Sequence, residues 1–191
     1  MKLSVIADII RGAIMTRYCD ETGEGEKLRV LSTKSIRNSK IYHDQLTSSY
    51  WVKGDESQKV FTREGDIVIK LAQPYDSALI KKEDEGLFVP SSIAIIRCRD
   101  SKMTNYLLAI LNHKETINKL VEDQGGMLTP TIRINVLADY ELPDLEDGKK
   151  MMIGELFAKS QNEMAILEEM SVNQTKIVEE IIGKTIRGEK Q

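Results

Sequence analysis

Any chemistry done by this chain would have to begin from its two histidines, its two cysteines or its few glycine-containing loops. His43 and His113 stand in different segments, and neither sits at zinc-ligand spacing from a cysteine or carboxylate. Cys19 and Cys98 form no CxxC pair, and they read as reduced, inert thiols of a cytosolic protein. Gly23 and Gly25 lie in an acidic loop without a following Lys-Ser/Thr, so no phosphate-binding loop forms there. Gln73-Pro74-Tyr75-Asp76 is the nearest approach to an adenine-methyltransferase motif. It lacks the second proline and the leading Asn or Asp that would hold a flipped base's amino group, and no glycine-rich cofactor motif accompanies it. No GxSxG elbow or local nucleophile-base pair is present. The residues thus point to a non-catalytic protein without cofactor or metal.

Charge offers a different chemistry. The net charge is −3 over 191 residues, with 30% charged and 41% hydrophobic, which argues against a protein that coats nucleic acid indiscriminately. Yet Lys27, Arg29, Lys34, Arg37 and Lys40 fall within one stretch that contains no acid, so a local positive stripe is compatible with the nearly neutral body. No run of about 18 apolar residues exists to cross a membrane. Asp8 and Arg11 interrupt the opening apolar run too early for a signal peptide, and the start reads as a short amphipathic helix stopped by Gly12.

Two regimes of patterning position these groups. Up to about Pro143, short apolar runs alternate with polar turns. Leu28–Leu31, Asp66–Leu71 and Ser92–Arg97 read as strands, with turns at Gly65-Asp66, Gly86 and Pro90. Met103–Asn112 reads as a helix capped by Thr104, Glu115–Glu122 as a second helix, and Ile132–Leu137 as another strand after a Gly125-Gly126 break. Strands and helices mix without a βαβ repeat, which predicts an α+β domain over 1–145 with a partly open sheet or barrel.

Beyond Asp147 there is no proline and the apolar spacing becomes helical. Ile153, Phe157, Ser160, Met164, Leu167, Ser171, Gln174, Val178 and Ile181 follow four-three heptad spacing. A helix from about Gly148 to Thr185 would extend about 55 Å at 1.5 Å per residue. Such a seam needs a second long helix, and this chain contains no other. The expectation is a 146–191 coiled-coil segment that forms a homodimer through Ile153, Phe157, Met164, Leu167, Val178 and Ile181.

Several segments, in order, resemble the target-recognition domain of type I restriction-modification specificity subunits. These are Leu3–Gly12, Val30–Ile36, Gly65–Ile69, Val89–Arg97, the helix Tyr106–Asn112 before the Gly125-Gly126 loop, and Ile134–Pro143, similar to the family's last strand before its long helix. Full-length members carry two recognition domains and two antiparallel helices; this chain has one of each. The resemblance implies a cytoplasmic complex on double-stranded DNA with adenine-methylating modification subunits, and with a restriction translocase. A homodimer would replace the missing half. Recognition loops vary across the family, so side-chain chemistry alone nominates DNA contacts. These are Lys34 and Arg37, then Lys70, Gln73 and Tyr75, then Lys81 and Lys82, and finally Thr129, Thr131 and Arg133. The competing expectations are a dimeric coiled-coil adaptor that touches no DNA, and a hydrolase or transferase with an unrecognised site.

Overall fold

The computed structural model describes residues 1–20, 25–51, 59–122 and 130–187. Its centre is an antiparallel four-stranded sheet of β1 (Ala7–Arg11), β7 (Ile67–Lys70), β8 (Ser77–Leu79) and β9 (Ile93–Cys98), in the order β1-β9-β7-β8. The sheet is not closed into a barrel. Both of its faces are covered, which explains why β7 and β9 read as almost unbroken apolar runs. Ile67, Ile69, Ala94 and Ile96 point into one core, while Val68, Ile93 and Ile95 point into the other, as the two-residue period of a strand requires.

The first face carries the helices α3 (Thr104–Leu111), α4 (Lys114–Glu122) and α5 (Ile134–Asp139), with Leu3 of the single turn α1 (Leu3–Ile6). The second is covered by the β4-β5 hairpin (Ile36–Arg37 and Lys40–Ile41) and by Ile80, Leu87 and Val89. A separate three-stranded sheet, β2-β6-β3, joins β2 (Cys19–Asp20), β6 (Thr47–Trp51) and β3 (Glu26–Val30). Its small core is aromatic: Trp51 lies within 6 Å of the rings of Tyr18, Phe61 and Phe88.

Three local expectations are corrected. Only Leu3–Ile6 of the opening segment is helical; Ala7–Arg11 extends into β1, where Ile9 faces one core and Ile10 the other. Five paired residues along β9 outweigh the weak local preference of so short a helix. The run from Ile132 to Leu137 is not a strand: Ile132 N donates to Leu71 O at 2.7 Å, and the chain then coils into α5, which buries Leu137. Its β-branched residues mislead because tertiary burial, not propensity, decides. Thr104 does not cap α3; it is the buried first helical residue, and Asp100 instead accepts from Lys102 N in the 3₁₀ turn before it. Gly125 and Gly126 lie outside the described residues.

The chain ends in α6 (Asp147–Arg187), 41 residues long. Its first half lies against the domain on a stripe that recurs every three or four residues. Gly154 is buried there, and Phe157, Ala158, Gln161, Ala165 and Glu168 are half-buried. Gly154 marks the closest approach, since a Cβ at that position would lie 2.8 Å from Tyr106 N on α3. Ile153 and Phe157 pack on the domain's own core rather than facing outward. The exposed apolar stripe is therefore offset from the seam expected of the heptads. It runs through Met152, Leu156, Leu167, Met170, Ile177, Val178 and Ile181, on the face opposite the domain.

Replacing Gly154 by Val should force α3 and α6 apart and destabilise the domain by about 2 kcal/mol or more. Gly148→Ala, where a Cβ meets nothing within 4 Å, should instead add about 0.5 kcal/mol. Urea unfolding of the two variants distinguishes a packing constraint from a general intolerance of substitution in α6.

Candidate nucleic-acid interface

One end of the central sheet gathers the polar residues. Register aligns Arg11 at the end of β1 with Ala94, and Lys70 at the end of β7 with Ile93, so the ends of β1 and β7 and the start of β9 meet there. Gly12 makes the junction possible, because a Cβ would lie 2.1 Å from Pro90 O. The chain leaves β7 through Leu71–Asp76, a tight loop with a cis Gln73-Pro74 bond and Tyr75 at φ 55°.

Two expected DNA contacts instead build this loop. Lys70 is 3% exposed and its Nζ lies 2.6 Å from Asp76 Oδ2. Taking the Lys70 charge out of water is costly, and pairing with the half-buried Asp76 compensates. Tyr75 is 6% exposed and its hydroxyl donates to Pro130 O at 2.6 Å; burial pushes its pKa up. Neither side chain is available to a phosphate. What they hold up, at the rim, are Ala72, Gln73 and Pro74, all exposed.

A cleft flanks the loop on each side. One, of about 640 Å³, is lined by Arg11, Ser91, Ser92, Thr131, Arg133 and Asn135. The other, of about 460 Å³, is lined by Thr33, Lys34, Arg37, Gln45 and Gln73, with Lys70 and Asp76 at its floor. The structure thus brings Lys34, Arg37 and Gln73 together, and places Thr131 and Arg133 across the loop from them. Arg11, Lys34, Arg37 and Arg133 are exposed, and none is in an ion pair among the described residues. Arg37 stacks on Tyr42, with Cζ 4.0 Å from the ring centroid, which orients the guanidinium without neutralising it. Four unneutralised cations around hydroxyl and amide groups match the chemistry of a phosphate backbone and base edges.

Other expected contacts lie elsewhere. Lys81 and Lys82 follow β8 at the opposite end of the sheet, and Lys82 is paired with Glu85. Thr129 lies outside the described residues. Sequence patterning missed Arg11, Ser91, Ser92, Asn135 and Gln45. The available signal was Arg11 immediately before a glycine, at the end of an apolar run.

The remaining ionisable groups serve structure. Asp66, 1% exposed, accepts two bonds from Arg97, Nε at 2.8 Å and Nη2 at 2.7 Å, and a third from Arg63 N. The hydrogen bond to Asp66 holds the Arg97 pKa above its usual value. His43 Nε2 lies 2.6 Å from the buried Asp84 carboxylate. Burial pushes the thiols of Cys19 and Cys98 up, away from the activated range. Among the described residues no three His, Cys, Asp or Glu side chains converge on a metal position, and no helix is long and apolar enough to cross a membrane.

No protein-family model and no curated protein sequence matches the chain. Solved structures do. All of the chain aligns with the HsdS subunit from Thermoanaerobacter tengcongensis, at TM-score 0.59 and 17% identity, covering 45% of that subunit. It aligns equally, at TM-score 0.59 and 17% identity, with a chain of a type I restriction-modification complex, covering 46% of it. The type I specificity subunit from M. genitalium follows at TM-score 0.50 and 16% identity, with 99% of this chain and 43% of that one aligned. The chain spans somewhat under half the length of these structures, and what it shares with them is a mixed α/β fold with a long C-terminal helix.

Proposed function

We propose that the chain is a sequence-specific DNA-recognition subunit of a type I restriction-modification complex, itself without catalytic activity. The carrying observation is the sheet end where Arg11, Lys34, Arg37 and Arg133 stand exposed and unneutralised around Gln73, on a chain whose net charge is −3. A local cluster on an acidic body suits a protein that finds one site, with partner subunits supplying further electrostatic attraction. The fold shared with specificity subunits supports the same reading. Adenine methylation would come from modification subunits and cleavage from a restriction subunit, all in the cytoplasm.

The second element of the proposal is a homodimer. Leu156, Leu167 and Met170 are more than 60% exposed on the face of α6 turned away from the domain. A second copy of α6, packed antiparallel, would cover that stripe and place two recognition domains at opposite ends of a two-fold assembly. The target would then be two inverted copies of one short half-site, separated by bases that the protein does not read.

Three outcomes are expected. Leu167→Asp with Met170→Asp would bury charges in the seam at a cost of several kcal/mol, so light scattering should find monomers where the parent is dimeric. A parent that stays monomeric at high micromolar concentration would remove the dimer. Lys34→Ala and Arg37→Ala should each weaken DNA binding and lower the salt slope by about one, without changing the melting temperature. Lys70→Met, by contrast, should lower the melting temperature by stranding Asp76. Oligonucleotide selection with the modification subunit present should return a gapped inverted repeat. An asymmetric or ungapped consensus refutes the two-fold arrangement, and no DNA binding at all leaves a dimeric adaptor.

A further inference from the structure

The long helix is tied to the recognition domain at a second point, far from its base. Tyr42 Oη lies 2.9 Å from both carboxylate oxygens of Glu168 and donates its proton to that carboxylate. Tyr42 is itself fixed to the β4-β5 hairpin, because its backbone N donates to Ser35 O at 2.8 Å and its ring carries the Arg37 guanidinium. Beyond Glu168, every residue of α6 through Ile182 is exposed. Gly154 thus marks a close crossing near the base of the helix, and the Tyr42–Glu168 bond the far end of its domain-facing stripe. At 1.5 Å per residue they stand roughly 21 Å apart along the axis.

The geometry points to Tyr42 and Glu168 as a positioning pair that sets the direction of the helix relative to the recognition domain, and so sets the spacer between half-sites. This inference rests on the proposed DNA-binding dimer. A rod pinned at one point can pivot, while a rod pinned at two cannot. Arg187 lies about 50 Å beyond Gly154 along the axis. An angular play of about 5°, within what long helices absorb by bending, moves that end by roughly 4 Å. One base pair rises about 3.4 Å, so losing the second pin would blur the spacer by about one base pair. The phenol donates to a carboxylate, sharing its proton between two oxygens at 2.9 Å, so the bond is directional at the far end of the stripe. It joins the domain to α6 fourteen residues beyond Gly154.

The test uses Tyr42→Phe, which keeps the ring beneath Arg37 but removes the hydroxyl, and Glu168→Leu, which keeps the size of the side chain but removes the acceptor. The control is Glu169→Gln, which removes a charge from the neighbouring exposed position of α6 and leaves the bond intact. Spin labels on cysteines introduced at Arg63 and Lys176, with Cys19 and Cys98 replaced by Ser and the labelled chain diluted in excess unlabelled chain, report the domain-to-helix distance by pulsed electron resonance. The parent and Glu169→Gln should give one narrow peak, and Tyr42→Phe and Glu168→Leu a broadened or split one. Equal widths in all four overturn the inference without reference to DNA. Oligonucleotide selection with the modification subunit should then return the same half-site for all four proteins. The parent and Glu169→Gln should prefer one spacer, whereas Tyr42→Phe and Glu168→Leu should accept neighbouring lengths that differ by about one base pair. An unchanged single spacer despite broadened distances overturns the specificity role. If the parent itself selects no gapped site, the DNA reading fails, while the distance measurement still decides the lock.

Discussion

The close crossing of α3 and α6 at Gly154 is the constraint on which the assembly depends. A helix of 41 residues cannot be held by a domain of this size unless part of it is brought into van der Waals contact with a rigid element. The backbone of Tyr106 leaves no room for a Cβ at that point. The small residues Ala158 and Ala165 continue the same stripe toward Glu168, and the larger apolar residues fall on the opposite face. One helix is therefore divided lengthwise, with one face for its own domain and one unpartnered. Burial of apolar surface is worth roughly 25 cal/mol per Å² removed from water, which is the physical basis of the proposed self-association through that second face.

The same division governs the charges. Lys70, Arg97 and Lys2 are cations with partners at 2.6–2.7 Å: Asp76, Asp66 and Asp139. In the first two pairs the Lys70 and Asp66 charges are buried, and both pairs fix loops, the Lys70 pair directly beneath the sheet end whose cations have no ion-pair partner among the described residues. Residue type cannot separate the two uses. What separates them is whether an acid lies within reach in space, and Asp66 and Arg97 are far apart in sequence.

Arg37 illustrates how the two systems meet. Its guanidinium faces the cleft beside Gln73, while its flat side rests on Tyr42, whose hydroxyl binds Glu168 of the long helix. Guanidinium is weakly hydrated and stacks well on an aromatic ring, so the group is oriented at little electrostatic cost. A lysine at the same position would reach the cleft but would not be held flat against the hairpin.

The sequence by itself determined the elements whose signal is long or strongly periodic. The apolar runs of β7 and β9, the helices α3 and α4, and the unbroken helical spacing beyond Asp147 were legible because burial on fixed faces repeats with the period of the element. Lys34 with Arg37, and Gln73 with Lys70 and Tyr75, stood in the sequence as separate candidates, and the fold brings Lys34, Arg37 and Gln73 to one cleft. Only the tertiary structure decided the rest. Ala7–Arg11 became a strand through pairing with β9, and Ile134–Asp139 a helix through burial of Leu137. Lys70 and Tyr75 turned inward because Asp76 and Pro130 O were within reach, and Ile153 and Phe157 turned from the expected dimer seam to the domain's own core. Apart from Lys70 and Asp76, which a tight loop brings together, these outcomes depend on contacts between segments distant in the chain, which local propensity and periodicity do not contain.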